Sequence, residues 1–218
     1  MTVADGLRTA DSARPRKASR ARRGEPQAYD FRRPSKLSRD HIRALQMAME
    51  TFARQWSTLF TTTLRAVTSV SLESVQQVTY DEYVSGMPAQ TTLVVLEIEP
   101  LEGRAIMQLN LETSMVALDH LLGGPGRLPQ PVRAFTDIES SLIGQLMDRA
   151  LHELRYALAP LLEAQPRMVS IEHNPQFVQA AASSDMMLVS SFALKVGASE
   201  GIATLALPFT GVFPYLEA

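Results

Sequence analysis

The chain contains no cysteine among its 218 residues. Disulfide bonds, zinc–thiolate centres and thiol nucleophiles are therefore excluded, and the absence favours a cytosolic setting. Long apolar runs are also missing, since no stretch approaches the roughly 18 residues that a membrane-spanning helix needs. The N-terminus lacks the apolar segment of a secretory signal. With 45% hydrophobic residues, the chain still has ample material for a buried core.

Clusters of reactive side chains are scarce as well. The chain has four histidines, and none lies at the local spacing of a zinc site or of a catalytic pair. They are His41, His120, His152 and His173. We interpret each as a surface or half-buried histidine. The sequence therefore predicts no metal ligand, no cofactor and no catalytic residue.

Two long amphipathic helices are predicted from capping residues and apolar stripes. The first would begin after the N-cap Ser38, with apolar residues spaced by three and four positions. The second would follow a capping box of Thr136 and Glu139, with apolar residues at every fourth position. We expect the stripe of the first helix to lie in the core: Ile42, Leu45, Met49, Phe52, Trp56 and Leu59. The apolar residues of the second helix are Ile138, Leu142, Leu146, Ala150, Leu154 and Leu158.

Strands are predicted after the first long helix. Residues 67–78 form a β-prone stretch, and a short polar segment follows at residues 80–83. Residues 91–99 and 104–110 are two further runs rich in β-branched and other apolar side chains, and a turn with proline and glycine joins them. These two runs predict a β-hairpin.

The second half of the chain repeats the first with an offset of 98 residues. Ser38 corresponds to Thr136, and the turn glycine Gly103 corresponds to Gly201. Strand positions keep their apolar character: Val94, Leu96, Ile98, Ala105, Met107 and Leu109 map onto Phe192, Leu194, Val196, Ala203, Leu205 and Leu207. Two copies of helix, strand and hairpin predict an α/β (α+β) fold with a pseudo-twofold axis and a shared sheet packed by helices. Two independent domains of about 90 residues are the alternative, which the short connection disfavours.

Charge divides the chain into a basic tail and an acidic body. Residues 1–36 carry a formal charge of +6, and the remaining 182 residues carry −8. Residues 1–34 hold few large apolar side chains and three prolines, so we predict a disordered tail ahead of one domain over residues 35–218. A basic tail could contact anionic lipid or nucleic acid, but a solvated tail is the simpler interpretation. We predict no nucleic-acid partner; such binding would have to weaken strongly with salt.

The 98-residue offset also bears on the last predicted helix. It places the final helix of the second copy over residues 210–220, whereas the sequence stops at Ala218. We therefore expect a shortened last helix and a fragment or short form of a longer protein.

The segment Leu121–Arg127 is dense in glycine and follows a short helix predicted over residues 112–122. It lacks the lysine and hydroxyl residue of a P-loop, and it follows a helix where a phosphate cradle would follow a strand. A helix C-cap with Gly123 or Gly124 at positive φ explains part of it. Three glycines with a proline and an arginine exceed what a cap needs. We predict an exposed backbone knuckle with one cation, suited to docking a protein.

Several segments resemble the FliM family of flagellar motor switch proteins. Residues 33–65 resemble the first helix of the family's middle domain, and the segment from Tyr80 to Thr91 resembles the loop and strand that follow. The glycine segment Leu121–Arg127 resembles the family's most characteristic motif, and the residues after it fit too: Arg133, Phe135, Thr136, Ile138 and Glu139. The resemblance runs from about Tyr29 to Leu216, with the motifs in the right order.

The resemblance implies a CheC-like fold with internal pseudo-twofold symmetry. It implies a rotor component that stands beside copies of itself in the cytoplasmic ring of the flagellar basal body, peripheral to the inner membrane. The family's glycine loop binds the rotor protein FliG, so that role is carried by position to Gly123, Gly124, Pro125, Gly126 and Arg127. The implied mechanism is mechanical: a regulator tilts the subunit, and the FliG contact changes the sense of rotation.

The sequence departs from the family pattern at two places. Members begin with a short amphipathic peptide that captures the phosphorylated regulator CheY, and residues 1–30 contain nothing like it. Residues 37–45 imitate that peptide, but His41 and Arg43 stand where acids belong. Members also carry a C-terminal FliN-like domain, which does not follow here. The resemblance therefore carries over neither CheY binding through that peptide nor direct FliN binding.

An enzyme of the same fold is the competing interpretation. CheC-type phosphatases, which remove phosphate from CheY, carry an acidic or Ser residue, a Glu four positions later and an Asn three after that. From Ser38 those positions hold Ile42 and Leu45, and from Asp137 they hold Ser141 and Gly144. Because neither helix carries the pair that would orient water, we expect no enzymatic activity.

Overall fold

The computed structural model describes residues 37–217. The tail predicted to be disordered, residues 1–34, lies outside the described residues. The predicted domain boundary at residue 35 also lies outside them. The elements are α1 (Arg39–Leu64), β1 (Thr68–Thr79), α2 (Tyr80–Ser85), β2 (Thr92–Glu99), β3 (Arg104–Leu109), α3 (Leu111–Leu121), α4 (Asp137–Leu158), β4 (Gln165–Glu172), a 3-10 turn (Pro175–Phe177), β5 (Met186–Val196), β6 (Ser199–Pro208) and α5 (Phe209–Leu216).

Both long helices begin at the predicted caps. The Ser38 hydroxyl accepts a hydrogen bond from the His41 amide at 3.1 Å at the start of α1. At the start of α4, the Thr136 hydroxyl accepts from the Glu139 amide at 3.4 Å, and the Thr136 amide donates to the Glu139 carboxylate at 2.7 Å. These bonds satisfy amides that have no partner within the first turn.

The short polar segment after β1 is a helix, which the sequence analysis missed. Thr79 and Glu82 form a second capping box: the Thr79 hydroxyl accepts from the Glu82 amide, and the Thr79 amide donates to the Glu82 carboxylate at 2.9 Å. Tyr80 and Tyr83 of α2 are buried. The cap and this burial together account for a helix of six residues, which is too short for hydrophobic periodicity to indicate.

Six antiparallel strands form one sheet in the order β1-β5-β6-β3-β2-β4. At its centre β3 pairs with β6, and Met107 lies opposite Leu205. These two residues are 98 positions apart, so the pseudo-twofold axis passes through this pair. The outer strands of the sheet are β1, from the first repeat, and β4, from the second. Each pairs with a hairpin strand of the other repeat, β1 with β5 and β4 with β2. The shared sheet is confirmed, and the alternative of two independent domains is wrong.

The main core lies between the long helices and one face of the sheet. Phe52 and Trp56 of α1 are buried against Phe192 of β5, and Phe60 packs on Trp56. Phe52 and Trp56 stack with ring centroids 5.1 Å apart, and Phe192 meets each of them edge to face. These contacts join the first repeat to the second, because α1 and β5 belong to different halves of the chain.

The opposite face of the sheet carries a smaller apolar cluster. Its members come from alternate positions of the same strands, such as Leu93 and Val95 of β2, together with Tyr80 and Tyr83 of α2. Since successive side chains of a strand point to opposite faces, both faces of β2 are apolar. This explains why residues 91–99 read as a continuous apolar run.

The apolar residues at every fourth position of α4 do not coincide with its buried face. Ile138 is 74% exposed, while Ile143 and Met147, which are not in that series, are buried. Residues four apart advance by about 40° on a helix of 3.6 residues per turn, so six such positions sweep about 200°. They cannot all face one way, and Ile138 lies off the buried face. The stripe of α1 mixes spacings of three and four, so it stays on one face.

Replacing Phe192 with alanine should lower the free energy of unfolding by about 3–5 kcal/mol, because it removes a fully buried ring from the contact between the repeats. Urea unfolding followed by Trp56 fluorescence measures this change. Ile202→Ala, on the opposite face of the same hairpin at 54% exposure, is the control and should shift the free energy by less than about 1 kcal/mol. Equal losses in the two variants would contradict this assignment of the core.

Candidate functional site

The glycine segment begins as the C-terminal cap of α3. Gly123 has a φ of +84°, and its amide donates to the His120 carbonyl at 3.0 Å. The Gly124 amide donates to the Asp119 carbonyl at 2.7 Å. This pair of bonds is the Schellman arrangement, in which a glycine of positive φ ends the helix. The predicted cap is therefore present, with Gly123 as the residue that takes the positive φ.

The rest of the segment folds back onto the same helix end. The Gly126 amide donates to the Asp119 carboxylate at 2.6 Å, and Gly126 itself has a φ of +66°. A side chain at Gly124 would overlap the Asp119 carboxylate, and one at Gly126 would overlap the His120 ring. We call Gly123–Arg127 the docking loop. Two of its glycines are required by contacts inside the molecule.

The residues of the docking loop differ in exposure. Gly123, Pro125 and Arg127 are exposed, Gly124 is half-buried and Gly126 is buried. The predicted exposure therefore holds for the first, third and last residues, whereas the backbone of Gly126 lies against His120. The surface that a partner could touch is therefore formed by the first, third and last residues of the loop.

Apolar side chains are exposed along the chain on either side of the docking loop. Leu122 is 63% exposed, Leu128 43% and Val132 76%. Sequence patterns do not single them out, because isolated apolar residues in a loop rich in proline and arginine show no periodicity. These side chains would add apolar contact area if a protein bound at the loop.

Beyond Val132 the segment is anchored to the start of α4. Arg133 donates to both carboxylate oxygens of Glu139, at 2.7 and 2.8 Å. Arg133 and the Thr136 amide together hold the pKa of Glu139 near 2, well below its usual range. The carboxylate is charged at neutral pH and acts both as an ion-pair partner and as a helix cap.

His173 secures the same anchor from the end of β4. Its Nε2 atom accepts a hydrogen bond from the Phe135 amide at 3.2 Å, and the two rings meet edge to face at 4.6 Å. Burial lowers the pKa of His173. An acceptor nitrogen must be unprotonated, so this contact requires the neutral imidazole.

Residues 37–217 show little that would support chemistry. Within that range no three His, Asp or Glu side chains converge to form a candidate metal site. None of the helices there is both long and apolar enough to cross a membrane. A groove of about 680 Å³ on the sheet face near α2 is lined by side chains such as Val78, Met87 and Ile202. Tyr83 also lines this groove, and its hydroxyl is hydrogen-bonded to the Thr204 hydroxyl at 2.6 Å. Burial raises the pKa of Tyr83.

A sequence model of the family described as flagellar motor switch protein FliM matches residues 38–218. The chain belongs to the FliM family. It is 34% identical to FliM of Treponema pallidum over 189 residues, which are 87% of this chain and 55% of that protein. It is 32% identical to FliM of Bacillus subtilis over 188 residues, which are 86% of this chain and 57% of that protein. The chain thus spans little more than half the length of these FliM relatives.

Solved structures have a similar fold. A chain in the crystal structure of a FliG–FliM complex from H. pylori has a TM-score of 0.79 at 24% identity, covering 84% of this chain and 100% of that chain. Thermotoga maritima FliY has a TM-score of 0.73 at 16% identity, covering 83% of this chain and 96% of that chain. The predicted fold class and the predicted FliM membership are both confirmed.

His173 should make the stability of this FliM-family domain depend on pH near neutrality. Its folded pKa lies below the ordinary value of 6.5, so its contribution is complete above pH 6.5 and is lost as the pH falls towards the folded value. His173→Gln cannot ionise. Between about pH 7 and pH 5 we expect the free energy of unfolding to fall more steeply for the natural chain than for His173→Gln. Parallel pH profiles from urea unfolding would contradict this role.

Proposed function

We propose that this chain is a structural component of the flagellar motor switch complex and that it binds FliG through the docking loop, Gly123–Arg127. The observation that carries the proposal is a glycine loop held in one backbone conformation by hydrogen bonds to Asp119, in a chain of the FliM family. The FliM chain of similar fold from H. pylori was crystallised with FliG, which supports FliG as the partner.

The geometry of the docking loop suits binding to a protein surface. A loop that is already ordered loses little conformational entropy when a partner binds, so more of the contact energy appears as affinity. Gly123 and Pro125 expose backbone without bulky side chains, and Arg127 supplies one cation for a complementary acidic or carbonyl group on the partner. Leu122 and Leu128 would add apolar contact at the two ends of the loop.

The proposed mechanism is mechanical. The subunit would stand beside copies of itself in the cytoplasmic ring of the basal body, peripheral to the inner membrane. A tilt of the subunit would move the docking loop and with it the bound FliG, and this movement would help to set the direction of rotation in chemotaxis. No covalent bond is made or broken in such a step.

Phosphatase activity of the CheC type has no support in the two long helices. The positions where that chemistry needs a Glu and an Asn hold Ile42 and Leu45 in α1, and Leu45 is fully buried. In α4 they hold Ser141 and Gly144, and Gly144 is buried. We therefore propose a role in assembly and not in catalysis.

Arg127→Glu should weaken FliG binding at least about tenfold, because it reverses the one exposed cation of the docking loop; a tenfold change is about 1.4 kcal/mol. Gly124→Asp should weaken binding at least as much, because the new side chain would overlap Asp119 and displace the loop. Isothermal titration with the cognate FliG measures both. Arg149→Glu, an exposed charge reversal in the middle of α4, is the matched control and should bind like the natural chain.

Thermal unfolding of the same variants separates a lost contact from a lost fold. Arg127→Glu and Arg149→Glu change exposed side chains and should each alter stability by no more than about 0.5 kcal/mol. Equal affinity of the natural chain and Arg127→Glu for FliG would place the site elsewhere on the molecule. Absence of FliG binding by the natural chain would sink the proposed function itself.

A further inference from the structure

Asp119 occupies a position that helix electrostatics disfavour. It lies in the last turn of α3, where the carbonyl end of the helix dipole repels a negative charge. Of the ion pairs in the described part of the chain, none involves Asp119. A carboxylate placed at this helix end without a cationic partner calls for another stabilising contact.

That contact is with the backbone of the docking loop. The carbonyl of Asp119 accepts from the Gly124 amide at 2.7 Å, and its carboxylate accepts from the Gly126 amide at 2.6 Å. Hydrogen bonds from an amide to a charged carboxylate are among the stronger ones in proteins. One residue of α3 therefore holds two of the three loop glycines at fixed distances from the helix end.

The space around the loop glycines is also filled by side chains from the end of α3. The Asp119 carboxylate fills the space that a side chain at Gly124 would need, and the His120 ring fills the space at Gly126. His120 also lies close to Gly197 in the β5–β6 turn, where an added side chain would approach its Nε2 atom at 3.3 Å. The Gly197 amide in turn donates to the Val67 carbonyl at 3.0 Å. Gly126 is thus packed on His120, and His120 lies beside the β5–β6 turn of the second repeat.

We propose that Asp119 is the positioning residue of the docking loop. Its carboxylate pulls the Gly126 amide back towards α3, and this bond presents Gly123, Pro125 and Arg127 on the outside of the loop in one arrangement. Asp119 itself is a support and not a contact for the partner. The inference rests on the proposed function for its link to FliG, while the ordering of the loop by Asp119 is a property of the chain alone.

Three variants test the link to FliG. Asp119→Ala removes the acceptor, and we expect the dissociation constant for the cognate FliG to rise at least tenfold. Asp119→Asn keeps one acceptor oxygen of the same reach, so it should restore binding to within about threefold of the natural chain. Asp148→Ala removes an exposed carboxylate from the middle of α4 and should leave binding unchanged.

Amide hydrogen exchange at Gly126, followed by NMR, tests the ordering of the loop without any partner. In Asp119→Ala the Gly126 amide should exchange at least tenfold faster than in the natural chain, because its acceptor is gone. Amides of the β3–β6 ladder, such as that of Met107, should keep their rates in all three variants. A general structural loss would instead accelerate both groups of amides together.

The outcomes separate the two claims. If the natural chain binds FliG and Asp119→Ala binds equally well, the positioning role is overturned and the proposed function stands. If the natural chain does not bind FliG, the proposed function fails, and the Gly126 exchange rate alone decides whether Asp119 orders the loop. Unchanged exchange at Gly126 in Asp119→Ala would overturn the inference whatever the binding result.

Discussion

The exchange of outer strands between the two repeats is the constraint on which the rest of the structure depends. Strand β1 completes the hairpin of the second repeat, β4 completes the hairpin of the first, and the β3–β6 ladder joins the two at the pseudo-twofold axis. Neither half can pair its outer strand by itself. In the core, the aromatic rings of α1 likewise contact Phe192 of the other half of the chain. We therefore expect sheet and core to form together.

The docking loop lies in the connection between the two repeats, outside the repeated pattern. Residues 122–136 connect the two repeats, and the connection has no counterpart inside either copy. The repeated pattern gives both copies the same packing requirements, whereas the connection between them is not part of that pattern. Loops positioned by a rigid scaffold are common places for binding residues. Here the scaffold contributes directly, since Asp119 and His120 at the end of α3 shape the loop.

Sequence reasoning succeeded where a local rule carries a physical requirement. Ser38 and Thr136 were predictable because unpaired amides at a helix start need acceptors, and the 98-residue offset was enough to predict the shared sheet. It could not locate the buried face of α4 from a spacing of four, because positions four apart drift around a helix and Ile138 lies exposed. It also missed α2, although Thr79 and Glu82 carried the same capping signal. The role of Asp119 was out of reach, since no pattern shows which loop amide will meet a carboxylate seven residues away.

Binding of FliG at the docking loop is tested most directly by NMR titration of the labelled chain with unlabelled cognate FliG, because every backbone amide reports on its own surroundings. We expect the amide resonances of Gly123, Gly124 and Arg127 to shift or broaden first. The resonances of Glu73 in β1 and of Ile202, on the sheet face near α2, should not change. Perturbation centred on that sheet face, with an unaffected docking loop, would contradict it.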